Sequence, residues 1–251
     1  MFTLNHNVLV RTLQILTHIL ALLGLYYCYV SDNWSLLVLS VLIYWFIGVF
    51  GINIGYHRLI SHRSFETYKP IEYLLAFIGI ITTIGSPLAW SALHRHHHGH
   101  AETENDVHSP YQLGWARAWF GFWKIPHISP KLSKDLRKDK FYKFTHKYYF
   151  HLILLYVFML SIIDPMYIIF VYAIPAVLVL HSTSAIIVIA HIHGYKSHEI
   201  DDESRNSWIA SLITLGEGWH NNHHANSKAW NNQEKWWEFD PPAWIIRLIK
   251  K

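Results

Sequence analysis

The chain has 251 residues, 52% of them hydrophobic and 15% charged, with a mean hydropathy of +0.15. That is more apolar than an ordinary soluble domain. A single cysteine, Cys28, excludes a disulfide framework and a thiolate-rich metal site, and a net charge of +4 is too mild to indicate nucleic-acid binding.

The first apolar run, 8–30, is interrupted only by Arg11, Thr12, Gln14, Thr17 and His18. It lacks a cleavage site, so it reads as a membrane helix and not as a signal peptide; Cys28 is a small packed residue within it. The next run, 34–55, carries no charge, and only Ser31, Asp32 and Asn33 separate the two, which predicts a helical hairpin. A further run, 73–93, contains Gly79, Thr82, Thr83, Gly85, Ser86 and Pro87, and is expected to lie in or re-enter the membrane. The basic stretch 131–147 reads as amphipathic and surface-lying. Runs 147–163 and 166–190, broken at Asp164-Pro165, predict a second hairpin, the shorter one borrowing His146 and Lys147 as a snorkelling end. Each run approaches or exceeds the roughly 20 residues needed to cross the hydrocarbon.

The 21 Lys and Arg lie at Arg11, between Arg58 and Lys147, or from Lys196 onward, and none lies in the turns 31–33 and 164–165. With four spans every basic residue falls on one side, the cytoplasmic one, together with both termini. A fifth span at 73–93 would put the histidine groups on opposite faces. The expected architecture is an all-α membrane protein, one domain over 1–251, with four transmembrane helices in two hairpins. A cytoplasmic helical cap from 56–146 and 191–251 would hold a histidine-rich dimetal site. A compact chain of this kind fits a bacterial inner membrane, or the endoplasmic reticulum if eukaryotic.

Nine histidines form spaced groups at the ends of these spans: His57 and His62; His94, His97 and His98; His191; and His220, His223 and His224. Spacing i, i+3, i+4 puts three rings on one helical face, twice over. Nine rings exceed the needs of one metal and suit two, with four or five each. His57 and His62 stand roughly 140° apart on an ideal α-helix, so they point together only if the helix ends, and otherwise serve different metals. An imidazole set suits iron, copper, nickel or zinc without choosing among them. Asp106, Glu217, Asn221 and Asn222 are the nearest polar groups able to orient the rings. Arg63 and Arg95 are expected to pair with those acids or with an anionic headgroup. His193 is a further neighbour of His191. His96, His100 and His108 read as outside the site, and His181, mid-span, reads equally as a helix-to-helix hydrogen bond or a functional group.

The segments HRLISH (57–62), HRHHH (94–98) and GEGWHNNHH (216–224), with GYHRLISHRSFET, TENDVHSP and WWEFDPPAWIIRLI around them, resemble integral-membrane fatty acyl desaturases, most nearly the acyl-CoA Δ9 type and its bacterial relatives. The resemblance runs from about Ile43 to Ile249. It implies that the nine histidines hold two iron ions, and that O2 and two electrons convert a saturated acyl chain to a cis-monounsaturated one. It also implies an electron donor, ferredoxin- or cytochrome b5-like, supplied as a separate protein, because no such region is fused to the chain. One position departs from the family pattern: Ile187 stands where an Asn usually lies, four residues before the histidine that ends the last span.

Methylenes are chemically alike, so selectivity must come from an apolar tunnel acting as a ruler. Trp45, about 18 Å below His57 on an ideal helix, and Tyr44 are candidates for its closed end. Competing readings are a related membrane di-iron hydroxylase, an acyl-lipid desaturase, a metal transporter or sensor, and an inactive scaffold, the last supported by Ile187.

Overall fold

The computed structural model describes residues 4–121 and 128–251; residues 122–127 of the expected cap lie outside the described residues. Among the described residues the chain is helical, with two isolated bridges, Tyr195–Asn206 and Asn206–Trp219, and no strand. Helix α1 (Leu4–Ser31) turns tightly at residues 32–34 into α2, Ser35–Ser61. Helix α9 covers Ile168–Ile192. The stretches Val8–Ser31, Ser35–Ser61 and Ile168–Ile192 are each long and apolar enough to cross a membrane. Helices α7 (Lys140–Lys147) and α8 (Tyr149–Ile163) make a fourth such span if the pair, bent by 72°, is taken as one. Large apolar side chains on these helices are exposed, Leu22 by 65% and Tyr29 by 76%, as a hydrocarbon solvent permits and water does not. Although α1 and α2 share a short turn, α1 and the first half of α2 (Ser35–Phe46) both pack on α9, the central helix, while the second half of α2 packs chiefly on α3 (Lys69–Ile80).

α2 is α-helical to Phe46 and π-helical over Ile47–Ser61. A π-helix hydrogen-bonds i to i+5 and is normally a single-turn bulge; here it persists along the face that meets α3 (Lys69–Ile80). The two backbones touch. A β-carbon on Gly51 would lie 2.7 Å from the Gly79 nitrogen, and one on Gly55 would lie 3.0 Å from the Leu75 oxygen, so the helices run antiparallel. The Tyr56 ring fills the space a side chain at Gly79 would need, and its hydroxyl donates to the Gly85 carbonyl at 3.0 Å.

The run 73–93 is not one helix. It breaks at residues 81–86, where Thr83 (φ 63°) and Gly85 (φ 123°) adopt left-handed backbone, and it restarts as α4, Pro87–His100. Ser86 caps α4 by accepting from the Ala89 amide at 3.3 Å, and Pro87 occupies the first turn, where no N–H is needed. Short helices α5 (Pro110–Leu113) and α6 (Trp115–Phe120) follow, and α6 lies along α9. Two 3₁₀ turns, Pro130–Ser133 and Leu136–Lys138, precede α7. His146 does not extend α8 as a snorkelling end: the helix breaks at Tyr148, and the His146 ring pairs with the Ser86 hydroxyl at 2.7 Å. The chain closes with α10 (Trp208–Thr214), α11 (His220–Ala225) and α12 (Pro241–Ile249), the last capped by Asp240. Ile54, Tyr56, Leu59, Ile60, Leu136 and Ile246 form the buried apolar floor around the far end of α2.

Candidate metal centre

Four elements bring the nine histidines together. The π-helical end of α2 carries His57 and His62, α4 carries His94, His97 and His98, the last turn of α9 carries His191, and α11 carries His220, His223 and His224. The rings divide into two groups able to hold a metal ion: His57, His62, His94, His98 and His223, and His97, His191, His220 and His224. Within each group the ligand nitrogens lie within 4.8 Å of one another.

The π-helix corrects the expectation for His57 and His62. With i to i+5 hydrogen bonding, residue 62 sits over residue 57, and its amide donates to the His57 carbonyl at 3.1 Å. Their ring centroids are 4.9 Å apart, and both belong to the five-ring group.

Inside the groups, Nε2 faces Nε2: His57 and His223 at 3.0 Å, His62 and His94 at 2.7 Å, His98 and His223 at 3.1 Å, His191 and His220 at 3.1 Å. On the outside, four rings turn Nδ1 to a carboxylate. Glu217 stands 2.8 Å from His57, Asp106 3.0 Å from His97, Glu102 2.6 Å from His191 and Asp202 2.7 Å from His224. A carboxylate only accepts, so it holds the ring proton on Nδ1 and leaves the inward Nε2 as a lone pair. Those lone pairs point into the two groups, and Nε2 of His224 is buried with no hydrogen-bond partner. A cation would take up such lone pairs, so the donor set fits a metal pair.

Protonation is disfavoured where it would compete. Burial first, then the facing His57 and His224 rings, push His62 down to about 2. Burial, chiefly, drives His94, His98, His220 and His223 well below the ordinary range. His224 is lowered to about 4, burial outweighing its bond to Asp202. These rings are neutral at pH 7, the form that binds metal. Burial pulls Glu217 upward, but Arg58 and His57 outweigh it and hold the acid at about 2.

The structure sets Asp106 and Glu217 against rings, but not Asn221 and Asn222. Asn221 accepts from the amides of Ser197 and His198, both at 2.7 Å. Asn222 donates to the Asn232 carbonyl and to Glu238. Both asparagines tie the loops that hold α11 in place. Arg63 and Arg95 pair with neither Asp106 nor Glu217. Arg95 meets Asp135 at 2.7 Å and the carbonyls of Ile60, Ser61 and Leu132, and Arg63 meets Asp135 and Glu72. The cation that does reach Glu217 is Arg58, 1% exposed, at 2.8 Å, and it also holds Asp240 at 2.8 Å. Its place beside His57 in the chain was the available signal. Glu102 and Asp202 were missed because nothing local marks them: they lie 89 and 22 residues from their rings. His108 stands 3.7 Å from Asp106, forming with it and His97 a third cluster of ligand type. His193 is exposed at the end of α9.

A cavity of about 570 Å³ lies against both groups. His57 and His94 of the larger set and His97, His191 and His220 of the smaller line it, and its remaining wall is mainly apolar. Tyr44 and Trp45 also line it, and Tyr44 is tied to the Ile213 carbonyl through its hydroxyl. Ile187 also lines it, one turn before His191. The volume is that of a site for one small apolar ligand.

Comparison with known proteins agrees with this geometry. The model of the family described as fatty acid desaturase matches residues 32–244. The chain is 32% identical over 234 residues to a sn-1 stearoyl-lipid 9-desaturase of Anabaena variabilis, covering 91% of this chain and 86% of that relative. It is 35% identical over 243 residues to a sn-2 palmitoyl-lipid 9-desaturase of Nostoc sp. (strain 36), covering 93% and 83%. An acyl-CoA 5-desaturase of Anemone leveillei, AL21, is 31% identical over 224 residues, covering 87% and 70%.

Proposed function

Because this chain belongs to the fatty acid desaturase family of oxidoreductases, we propose that it introduces a cis double bond into a long-chain saturated fatty acyl chain, using O2, at a pair of irons held by its nine histidines. The observation that carries this reading is the division of those rings into sets of five and four above one apolar cavity. Iron, when bound, supplies the oxidising power toward an unactivated CH2 that no side chain has. Two hydrogens leave adjacent methylenes, and with two electrons and two protons they reduce O2 to two waters. The electrons come from a separate carrier of ferredoxin or cytochrome b5 type.

The chain's own residues do the positioning. Glu217, Asp106, Glu102 and Asp202 keep the proton on Nδ1 of His57, His97, His191 and His224 and so fix the direction of each lone pair. Arg58 keeps Glu217 ionised and in place. The apolar cavity wall, which includes Tyr44 and Trp45, excludes water and aligns the acyl chain, and we propose these two residues as its stop.

The reading takes position 9 from the relatives named for it, and a membrane glycerolipid as the acyl carrier, since both cyanobacterial relatives are named lipid desaturases. Acyl-CoA is the second reading, favoured by the Anemone relative. We place the protein in a bacterial inner membrane as one domain over 1–251. Its four spans form two hairpins, and the histidine end and both termini are cytoplasmic, as the basic residues support. Expression in cells lacking the activity, with fatty-acid profiling, tests this. Cis-monoenes that vanish in His97→Ala and His223→Ala are expected. Hydroxy acids would replace desaturation by hydroxylation, and unchanged lipids despite bound iron and reductant would overturn the reading. Purified enzyme offered phosphatidylcholine in nanodiscs and acyl-CoA in parallel identifies the carrier.

A further inference from the structure

Two imidazoles within the spans take no part in the metal groups. His18 of α1 and His181 of α9 approach Nε2 to Nε2 at 3.2 Å, their rings edge to face at 5.3 Å. The Trp119 indole donates to Nδ1 of His181 at 3.0 Å. Nδ1 of His18 lies 2.6 Å from the Gln14 carbonyl. Only one assignment of protons satisfies all three contacts with neutral rings. An indole can only donate, so Nδ1 of His181 is a lone pair and its proton is on Nε2. That proton goes to Nε2 of His18, whose own proton must then be on Nδ1 and goes to Gln14. The result is an uncharged, one-directional chain from α6 through α9 to α1. A second bond ties the same tryptophan: Ser184 donates to the Trp119 carbonyl at 2.8 Å.

Polar side chains within a membrane span are costly, and their usual justification is function. Here the two ends of the chain, Gln14 and Trp119, line the cavity, together with Phe120 and Leu180. His181 lies ten residues before His191 on α9, about 15 Å of helix below the four-ring group. α1 and α6 carry none of the nine histidines, so the clasp sets how closely these two walls stand to the cavity at that depth.

We propose that Trp119 is a specificity-determining wall of the acyl cavity, and that His181 and His18 are positioning residues that hold it there; this rests on the desaturase reading above. With the indole fixed, one register of methylenes beneath the histidines is favoured. With it released, neighbouring registers compete.

The experiment compares wild type with Trp119→Phe, His181→Leu, His181→Gln and His18→Leu in cells lacking the activity. It reads iron content and the double-bond position of the monoenes by mass spectrometry of their dimethyl disulfide adducts. Trp119→Phe keeps a ring and removes the donor, so it carries the decision if His181→Leu fails to accumulate. The expected result is about a tenfold rise in the share of displaced isomers or altered chain lengths for Trp119→Phe, His181→Leu and His18→Leu, at wild-type iron content. His181→Gln, whose amide can accept from Trp119 and donate to His18, restores the wild-type pattern. His151→Leu, an exposed α8 position outside the cavity, serves as the control and leaves the pattern unchanged. An unchanged isomer pattern in Trp119→Phe and His181→Leu, with iron bound, overturns the proposal and leaves a purely structural clasp. Absence of monoenes from wild type instead overturns the desaturase reading.

Discussion

His57 and His223, 166 residues apart in the chain, bring their Nε2 atoms to 3.0 Å, and His223 also meets His98 at 3.1 Å. One short helix, α11, therefore serves both groups: His223 completes the set of five, while His220 and His224 belong to the set of four.

That division makes metal loss separable. His220→Ala removes one ring of the smaller group and leaves the five-ring group whole, so on the proposed two-iron reading iron per chain is expected to fall from two toward one and monoene formation to be lost. His94→Ala leaves four rings in the other group and is expected to weaken that position instead. Metal analysis of membranes purified from each variant checks this, and full loss of both irons from either variant would contradict two separate positions.

The acids behind the rings control ligand direction, so removing their charge weakens metal binding without touching a ligand. Asp202→Asn and Glu102→Gln are each expected to lower iron affinity by 10- to 100-fold, read by chelator competition. Affinity unchanged within twofold in both would show that these carboxylates, 2.7 and 2.6 Å from Nδ1, do not set the rings.

Arg58 bridges Glu217 and Asp240 at 1% exposure. Arg58→Met leaves two buried acids facing one another, a change expected to cost about 3–5 kcal/mol. The denaturation midpoint in detergent should fall steeply, whereas Arg63→Met, at a 40% exposed side chain, should cost under about 1 kcal/mol.

Asp135 gives a pH signature. Burial tends to raise its pKa, but the bond and charge of Arg95, with Arg63 further off, outweigh that and hold it at about 2. A carboxyl lower in the folded than the unfolded state binds fewer protons when folded, so its contribution is present above the unfolded value of about 4. It is lost as pH falls from there toward 2. The thermal midpoint should therefore drop through that window in wild type and less in Asp135→Asn. The side chain is 41% exposed, so the difference is modest.

Much of this was legible in the sequence. The i, i+3, i+4 spacing foretold two helices each carrying three of the nine histidines, and hydropathy foretold helices long and apolar enough to cross a membrane. The π-helix was not legible, because an apolar, glycine-spaced run reads equally as α; it coincides with the close approach of Gly51 to Gly79, which only the fold reveals. The same holds for Glu102 and Asp202, acids whose partners are chosen by tertiary approach. Asn221 and Asn222 misled for the opposite reason. They sit between ligands in the chain, yet on a helix the intervening residues point elsewhere, here Asn221 to Ser197 and His198 and Asn222 to Asn206 and Asn232.

Ile187 leaves the smaller set with an aliphatic neighbour on its cavity side. If each set holds an iron as proposed, the two ions would differ electronically, and Mössbauer spectra of the loaded protein should resolve two quadrupole doublets in place of one. The ion held by the four-ring set would then be the stronger Lewis acid, and the one that azide or nitric oxide would reach first.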